Sequence, residues 1–279
     1  QLCLVHLAGA RGTQDTADWV VPKASDADFA TIMVNTVNAP TKNRQFYAND
    51  ATVPSDLDTT DILTLTDFDR IGAVLKDSQV PLQTIKIKGD VYAWNDPLWV
   101  AFVTNRQWLY LKAQTGEKGW RAMLQNAYER RSAGMRHPLF YGDVGMWNGI
   151  LIRPMNRLAI RYAAGETVHY DTGGSNGKTF TDGTAAAAVD MDRAIIVGAQ
   201  ALLKCYGQHQ SSEYYYSWHE EEVDHGNAVE TSCAMMGGVA KTRFSVYDGV
   251  ANVDTDYGVA VLDSYAPDPS SAAGKALLV

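Results

Sequence analysis

The residues that could do chemistry lie around Ser175, within the run Gly173-Gly174-Ser175-Asn176-Gly177. This run fits the G-x-S-x-G nucleophile elbow, in which a sharp strand-to-helix turn exposes a serine beside its base. Four residues follow it in the order that a hydrolase triad requires: Asp190, Asp192, His209 and His219. An elbow needs a buried strand before the serine and a helix after it. Residues 166–172 are polar and residues 178–183 are a poor helix start, so we predict a loop here and keep a serine hydrolase using Ser175 as the less favoured alternative.

The same stretch partly matches a phosphate-binding loop, because Gly177-Lys178-Thr179 fits the end of the G-x-x-x-x-G-K-[ST] pattern. The first glycine of that pattern would have to stand at position 172, which is Thr172. No hydrophobic strand precedes the run, and no helix N-terminus follows to face the phosphates. We therefore predict no nucleotide site.

A metal site is conceivable at His219 and His225, which flank three consecutive glutamates and an aspartate. Their spacing is not H-E-x-x-H, which places two imidazoles one helical turn apart. A solvated acidic segment is the better interpretation, with carboxylates available to Lys or Arg across a subunit boundary. Three cysteines, Cys3, Cys205 and Cys233, lack C-x-x-C spacing and argue against a thiolate zinc site or a disulfide framework. We predict no catalytic, cofactor-binding or metal-binding residue.

Composition describes an ordered globular protein with an acidic surface. Of 279 residues, 46% are hydrophobic and 20% are charged, which is not the composition of a disordered chain. The formal net charge is −8 and the pI is near 5.2, so the average surface repels a phosphate backbone. Sequence-specific nucleic-acid binding is therefore not expected. No apolar run approaches the roughly 20 residues that cross a bilayer, so we expect no membrane partner.

Local patterns predict a mixture of helices and hairpins. Helical spacing of Phe68, Ile71, Val74 and Leu75 predicts a helix capped by Asp67. Residues 84–94 predict a β-hairpin that turns at Gly89-Asp90. Residues 98–104 predict a strand, after which Thr104 caps a helix containing Trp108 and Leu111, and residues 119–132 predict another helix. Asn148-Gly149 between apolar runs predicts a tight hairpin, since both residues tolerate positive φ.

The remaining segments are less regular. Residues 11–61 form a long connection, for which two interpretations stay open. It packs against neighbouring subunits, or it forms short strands and loops that pack on the core of the same chain. Residues 162–189 predict an exposed loop and residues 227–236 predict a helix. Residues 266–279 predict a peripheral arm. The tryptophans are expected mainly in the core, and several exposed on one patch would instead mark an interface.

Several motifs, in this order, resemble the major capsid proteins of N-four-like tailed phages. They are the Pro138-Leu139-Phe140 turn before the Asn148-Gly149 hairpin, the apolar strand of residues 193–201 ending in Gly-Ala-Gln, the Gly226-Asn227 step, Lys241-Thr242-Arg243-Phe244, and the closing strand of residues 257–263. The resemblance runs from about Ile62 to Asp263. It implies an α+β protein of the tailed-phage major capsid (Hong Kong phage-type) fold, with a peripheral domain that has a spine helix, and an axial domain.

The resemblance also implies domains and partners. Residues 1–64 would hold the end of the spine helix, up to about Gly9, and a peripheral-domain segment. Residues 65–206 would be mainly the axial domain, and residues 207–279 would return to the peripheral domain and end in a tail. The N-terminal arm and extended loop of family members are not recognised in the sequence. The implied function is a non-enzymatic subunit that assembles with itself into hexamers and pentamers of an icosahedral head enclosing DNA. Portal, scaffolding or decoration proteins are further partners, and the expected locations are the bacterial cytoplasm and the virion. An encapsulin-like non-viral shell is the alternative.

Overall fold

The structure is a computed structural model that describes residues 39–86, 98–114, 119, 145–155, 161–174, 179–207, 216–235 and 237–278. Within these residues the helices are α1 (Leu65–Asp77), α2 (Asn105–Ala113) and α3 (Ala272–Ala276). The strands are β1 (Gln45–Tyr47), β2 (Trp99–Val103), β3 (Gly145–Trp147), β4 (Ile150–Pro154), β5 (Arg161–Tyr162), β6 (Thr167–Asp171), β7 (Asp182–Ala186), β8 (Met191–Val197), β9 (Leu202–Tyr206), β10 (Tyr216–Val223), β11 (Ala228–Met235), β12 (Gly237–Lys241), β13 (Arg243–Tyr247), β14 (Asn252–Asp256) and β15 (Val259–Tyr265). The α+β prediction is confirmed. No helix in these ranges is both long and apolar enough to cross a membrane.

A seven-stranded mixed sheet forms the centre, in the order β1-β15-β8-β2-β4-β3, with β5 paired to β8 beyond that path. β1 pairs with β15 and β2 pairs with β4 in parallel, while the β15–β8, β8–β2 and β4–β3 pairs are antiparallel. The sheet combines strands from each of the three predicted domain segments. The placement of domain boundaries stays a prediction.

Two apolar layers cover the sheet, because side chains on successive strand residues point to opposite faces. On one face, Ile196, Leu262 and Ile152 pack against Phe68 and Ile71 of α1, and the same cluster includes buried residues of α2. A second cluster contains Ile195 and Val259 from the neighbouring strand positions together with Val168 of β6. The hairpin of β6 and β7 therefore closes part of the sheet's surface.

Helix α1 begins one turn earlier than predicted. Thr64 is its N-cap and Asp67 occupies the third helical position, where the two side chains form a reciprocal capping box. The prediction that Asp67 caps the helix is wrong, since its carboxylate accepts from the Thr64 backbone N–H instead. Phe68, Ile71 and Leu75 are buried as predicted, whereas Val74 is exposed.

Two local predictions are confirmed. Thr104 caps α2 in a capping box with Gln107, and Trp108 and Leu111 are buried. The Asn148-Gly149 turn joins β3 to β4, and both of its residues have positive φ. A turn of this kind matches the twist of the strands it joins.

Three predictions are wrong. Residues 162–189 are not an exposed loop, because β6 and β7 pair across them and Val168 and Ala187 are buried. Residues 227–236 are not a helix, since residues 228–235 form β11 and pair along their whole length with β10. Residues 266–278 do not extend away as an arm, because the Tyr110 hydroxyl of α2 donates to the Pro267 carbonyl at 2.8 Å and α3 follows.

Of the long connection, residues 39–61 pack on the chain's own core, with β1 at the edge of the sheet. Several predictions lie outside the described residues: the spine-helix end before Gly9, most of the hairpin of residues 84–94, the helix of residues 119–132, and the turn at Pro138. Ile85, which the structure describes, bridges antiparallel to Leu98.

Candidate assembly surface

A β-arm leaves the central sheet between β8 and β13, and its described residues are 202–207, 216–235 and 237–241. It consists of two antiparallel ribbons, β9 with β12 at its root and β10 with β11 beyond. The Thr242 backbone N–H donates to the Ala201 carbonyl at 3.2 Å, which closes the root. Eight residue pairs join β10 to β11, so this ribbon is about 26 Å long at ~3.3 Å per residue.

A buried charge cluster fixes the root of the β-arm. The Lys241 Nζ lies 2.7 Å from Asp256 Oδ2, and the Arg243 Nε lies 2.8 Å from Asp256 Oδ1. The Thr41 backbone N–H also donates to this carboxylate at 3.0 Å. Burial lowers the pKa of Lys241 to about 8, although Asp256 opposes the shift. A buried carboxylate with two cations and a backbone donor holds the strand ends that carry the β-arm in one geometry.

A second buried network locks α2 to the sheet. The Thr104 hydroxyl donates to Asp192, and the Gln107 amide donates to the Asp192 carbonyl at 2.9 Å and to the Ser264 hydroxyl at 2.8 Å. Arg161 lies 3.7 Å from the Asp192 carboxylate. Burial raises the pKa of Asp192 to about 6, and the Thr104 hydrogen bond opposes that shift.

The outer ribbon is exposed on both faces, since none of its described side chains is buried. By register, Tyr216 and Trp218 share one face with Glu220 and Glu222, so an apolar half adjoins an acidic half. The exposed fractions of Tyr216 and Trp218 are 51% and 65%. An isolated two-stranded ribbon is only marginally stable in water, and exposed aromatic side chains are typical of interfaces. The β-arm is the candidate assembly surface.

The hydrolase alternative finds little support. Ser175 and His209 lie outside the described residues. Around Ser175 the described chain runs from strand β6 to the antiparallel strand β7, where an elbow requires a helix. Asp192 is bonded within the central body, whereas His219 is exposed on the outer ribbon opposite Ser232.

The described residues also give little support to the metal site and the phosphate-binding loop considered in the sequence. His219 lies on β10 and His225 lies in the turn that follows, and among the described residues no three His, Cys, Asp or Glu side chains are grouped to hold a metal ion. Thr179, the last residue of the partial phosphate-loop match, is followed by strand β7 and not by a helix. The predicted absence of catalytic, cofactor-binding and metal-binding residues stays a prediction.

The sequence model of a family described as phage capsid protein matches residues 1–268. The chain belongs to the phage capsid protein family. Among solved structures it is similar to the capsid of Ralstonia phage GP4, with a TM-score of 0.61 and 22% sequence identity over 97% of this chain and 64% of that chain. The chain thus spans 64% of the length of that structure. This likeness confirms the predicted tailed-phage capsid fold, while the N-four-like subtype stays a prediction.

Two further phage structures are more distant. The cyanophage Pam1 capsid asymmetric unit gives a TM-score of 0.47 at 16% identity, over 81% of this chain and 55% of that chain. The head structure of Helicobacter pylori bacteriophage KHP40 gives 0.37 at 16% identity, over 61% and 47%. No curated protein matches the chain.

Sequence reasoning missed the β-arm. Alternation in residues 216–223 places aromatic and acidic residues together on one face, whereas a core strand alternates apolar with polar residues. That departure, together with the Asp224-His225-Gly226 segment, whose Asp and Gly are residue types typical of turns, was the signal available in the sequence.

Proposed function

We propose that the chain is a major capsid subunit of a tailed phage and assembles with copies of itself into hexamers and pentamers of an icosahedral head. Membership of the phage capsid protein family, over residues 1–268, is the observation that carries the proposal. In such a shell, closed symmetry multiplies modest contacts between identical subunits into a stable particle. The protein's role is structural and it performs no reaction.

The exposed β-arm supports this proposal. A ribbon that buries none of its described side chains gains stability when a neighbour covers it, because packing against a third element is what makes a two-stranded ribbon stable. Its Tyr216 and Trp218 supply the large apolar area that dominates association energetics.

The head encloses double-stranded DNA without sequence-specific contacts. Because the net charge of each chain is −8, its average surface makes few contacts with phosphates, so the shell encloses the genome without binding it tightly. Assembly takes place in the bacterial cytoplasm, and the mature location is the virion. Portal, scaffolding and decoration proteins are the further partners.

The domain division is part of the proposal. Residues 65–206 form most of the axial domain around the symmetry axes, and residues 1–64 and 207–279 belong to the peripheral domain. In this division the central sheet is shared, with β1 and β15 in the peripheral domain and its other strands in the axial domain.

Sedimentation velocity of the full-length protein over a range of concentrations, followed by electron microscopy of the fastest fraction, tests the proposal. We expect closed particles of uniform diameter. A protein that stays monomeric at every concentration and in every lysate fraction contradicts it. Particles filled with a cargo enzyme and lacking DNA would identify an encapsulin-like shell instead.

A further inference from the structure

We propose that the acidic outer ribbon of the β-arm docks into a cationic cavity beside α2 of a second copy of this chain. The inference rests on the proposed function and names the two surfaces that meet. It joins an uncompensated cluster of carboxylates on the β-arm to an apolar cavity edged by cations on the body.

The carboxylates of the ribbon lack internal partners. Glu221 of β10 stands directly opposite Glu230 of β11, and like charges in that relation destabilise a sheet. Glu220, Glu222 and Asp224 add three more acidic groups at the same end. In the part of the chain that the structure describes, none of these five carboxylates forms an ion pair. A cationic partner would relieve this repulsion.

The turn presents these charges outward. Asp224, His225 and Gly226 all have positive φ and are all exposed. Non-glycine residues adopt this conformation at a cost, and a strained turn persists where the surrounding structure or a partner requires it.

The complementary surface is a cavity of about 450 Å³ at the exposed side of α2. Trp108, Leu109 and Pro269 give it apolar walls, and three cations surround them: Arg106, Lys112 and Arg161. Lys112 Nζ lies 5.2 Å from the centre of the Trp108 ring. Apolar walls with a cationic rim suit a ligand that combines carboxylates with apolar atoms.

Arg161 contributes a cation to the lining of the cavity. Its Nε is buried, has no hydrogen-bond partner, and lies 3.7 Å from Asp192, beyond hydrogen-bond range. The Arg161 side chain as a whole is 34% exposed, so a carboxylate in the cavity can approach its guanidinium from the side away from Asp192. Among the described residues, Arg106 makes polar contacts to the half-exposed Asp268 carboxylate at 3.5 Å and to the Ala266 carbonyl at 3.5 Å.

The occupant is a second copy because both surfaces belong to one chain of a family whose members form capsids. The acidic ribbon and cationic cavity are opposite in charge, and such complementarity sets register between partners. The apolar half of the ribbon, with Trp218, and Val223 at the end of β10 offer apolar atoms to the cavity walls.

Charge reversal on each surface tests the contact. The arm variant is Glu221→Lys with Glu230→Lys, which keeps a like-charge pair across the ribbon and inverts only its sign. The cavity variant is Arg106→Glu with Lys112→Glu. Either variant is expected to lower the assembled fraction at least about tenfold in sedimentation velocity, and combining all four substitutions is expected to restore most of it.

Controls separate charge from folding. Asp77→Lys and Lys76→Glu on α1 change exposed charges that belong to neither surface and are expected to assemble like wild type. Thermal unfolding of each variant under conditions that keep the protein monomeric checks that the fold is intact.

The outcomes distinguish the two proposals. Wild-type protein that assembles while both reversal variants assemble equally well overturns the arm contact and leaves the capsid role standing. A combined variant as defective as either single-surface variant also overturns the contact. Wild-type protein that never self-associates overturns both.

Discussion

The buried Arg193–Asp263 pair across β8 and β15 is the most exacting test of how the central sheet is held together. Arg193 Nε and Nη2 each lie 2.7 Å from an Asp263 carboxylate oxygen, and the two side chains are 0% and 1% exposed. Burial lowers the pKa of Arg193, but Asp263 outweighs burial and raises the pKa above its ordinary value. Arg193 therefore stays protonated in the folded protein.

Arg193→Met removes one partner and leaves the Asp263 carboxylate buried without its cation. An uncompensated buried charge costs about 3–5 kcal/mol of unfolding free energy. The double variant Arg193→Met with Asp263→Leu removes both charges, and an apolar pair of similar volume is expected to restore stability to within about 1 kcal/mol of wild type.

Denaturant unfolding followed by circular dichroism, with protein kept monomeric, measures both variants. A loss below about 1 kcal/mol for Arg193→Met would show that the carboxylate reaches solvent or another cation. A double variant as unstable as the single one would show that the site depends on the arginine's packing over the Tyr162 ring, whose centre lies 5.5 Å away, and not on charge compensation.

Two further changes probe the sheet's neighbours. Burial raises the pKa of Asp192 to about 6 from an ordinary 3.8, so its protonation stabilises the folded state fully below about pH 4, and this contribution is lost as the pH rises through 6. Relative to Asp192→Asn, wild type should therefore lose about 2–3 kcal/mol of unfolding free energy between pH 4 and 7, and a difference that is independent of pH contradicts this. Gly198→Ala would drive a Cβ into the Gln83 carbonyl and is expected to cost about 1–3 kcal/mol in the same unfolding assay; an unchanged stability would show that the Gln83 backbone moves aside.

The sequence was enough to predict the turns and helix caps whose structure depends only on neighbouring residues. The Asn148-Gly149 turn and the Thr104 cap follow from backbone requirements that a few neighbouring side chains meet. The order of the motifs along the sequence was enough to predict the family and the fold. Two of these motifs contain the apolar segments around Ile196 and Val261, which form β8 and β15 and pair in the central sheet.

Pairing between strands that are distant in sequence explains why some predictions were wrong and some features were missed. Residues 228–235 lack a strong periodicity of their own and become a strand because β10 pairs with them across the turn. The buried roles of Asp256 and Asp263 were not predicted, since a charged residue in a strand gives no sign of its partner on another strand. The cationic cavity draws Arg106 and Arg161 from elements far apart in sequence, and only the folded chain brings them together.

The central claim is that this chain forms a shell from many copies of itself. Cryo-electron microscopy of DNA-containing particles purified from a lysate of the phage encoding it tests that claim most directly. The account predicts an icosahedral shell whose repeating density fits the seven-stranded sheet, with α1 and α2 packed on it. A shell built from a different protein, with this chain absent from the particle, would contradict it.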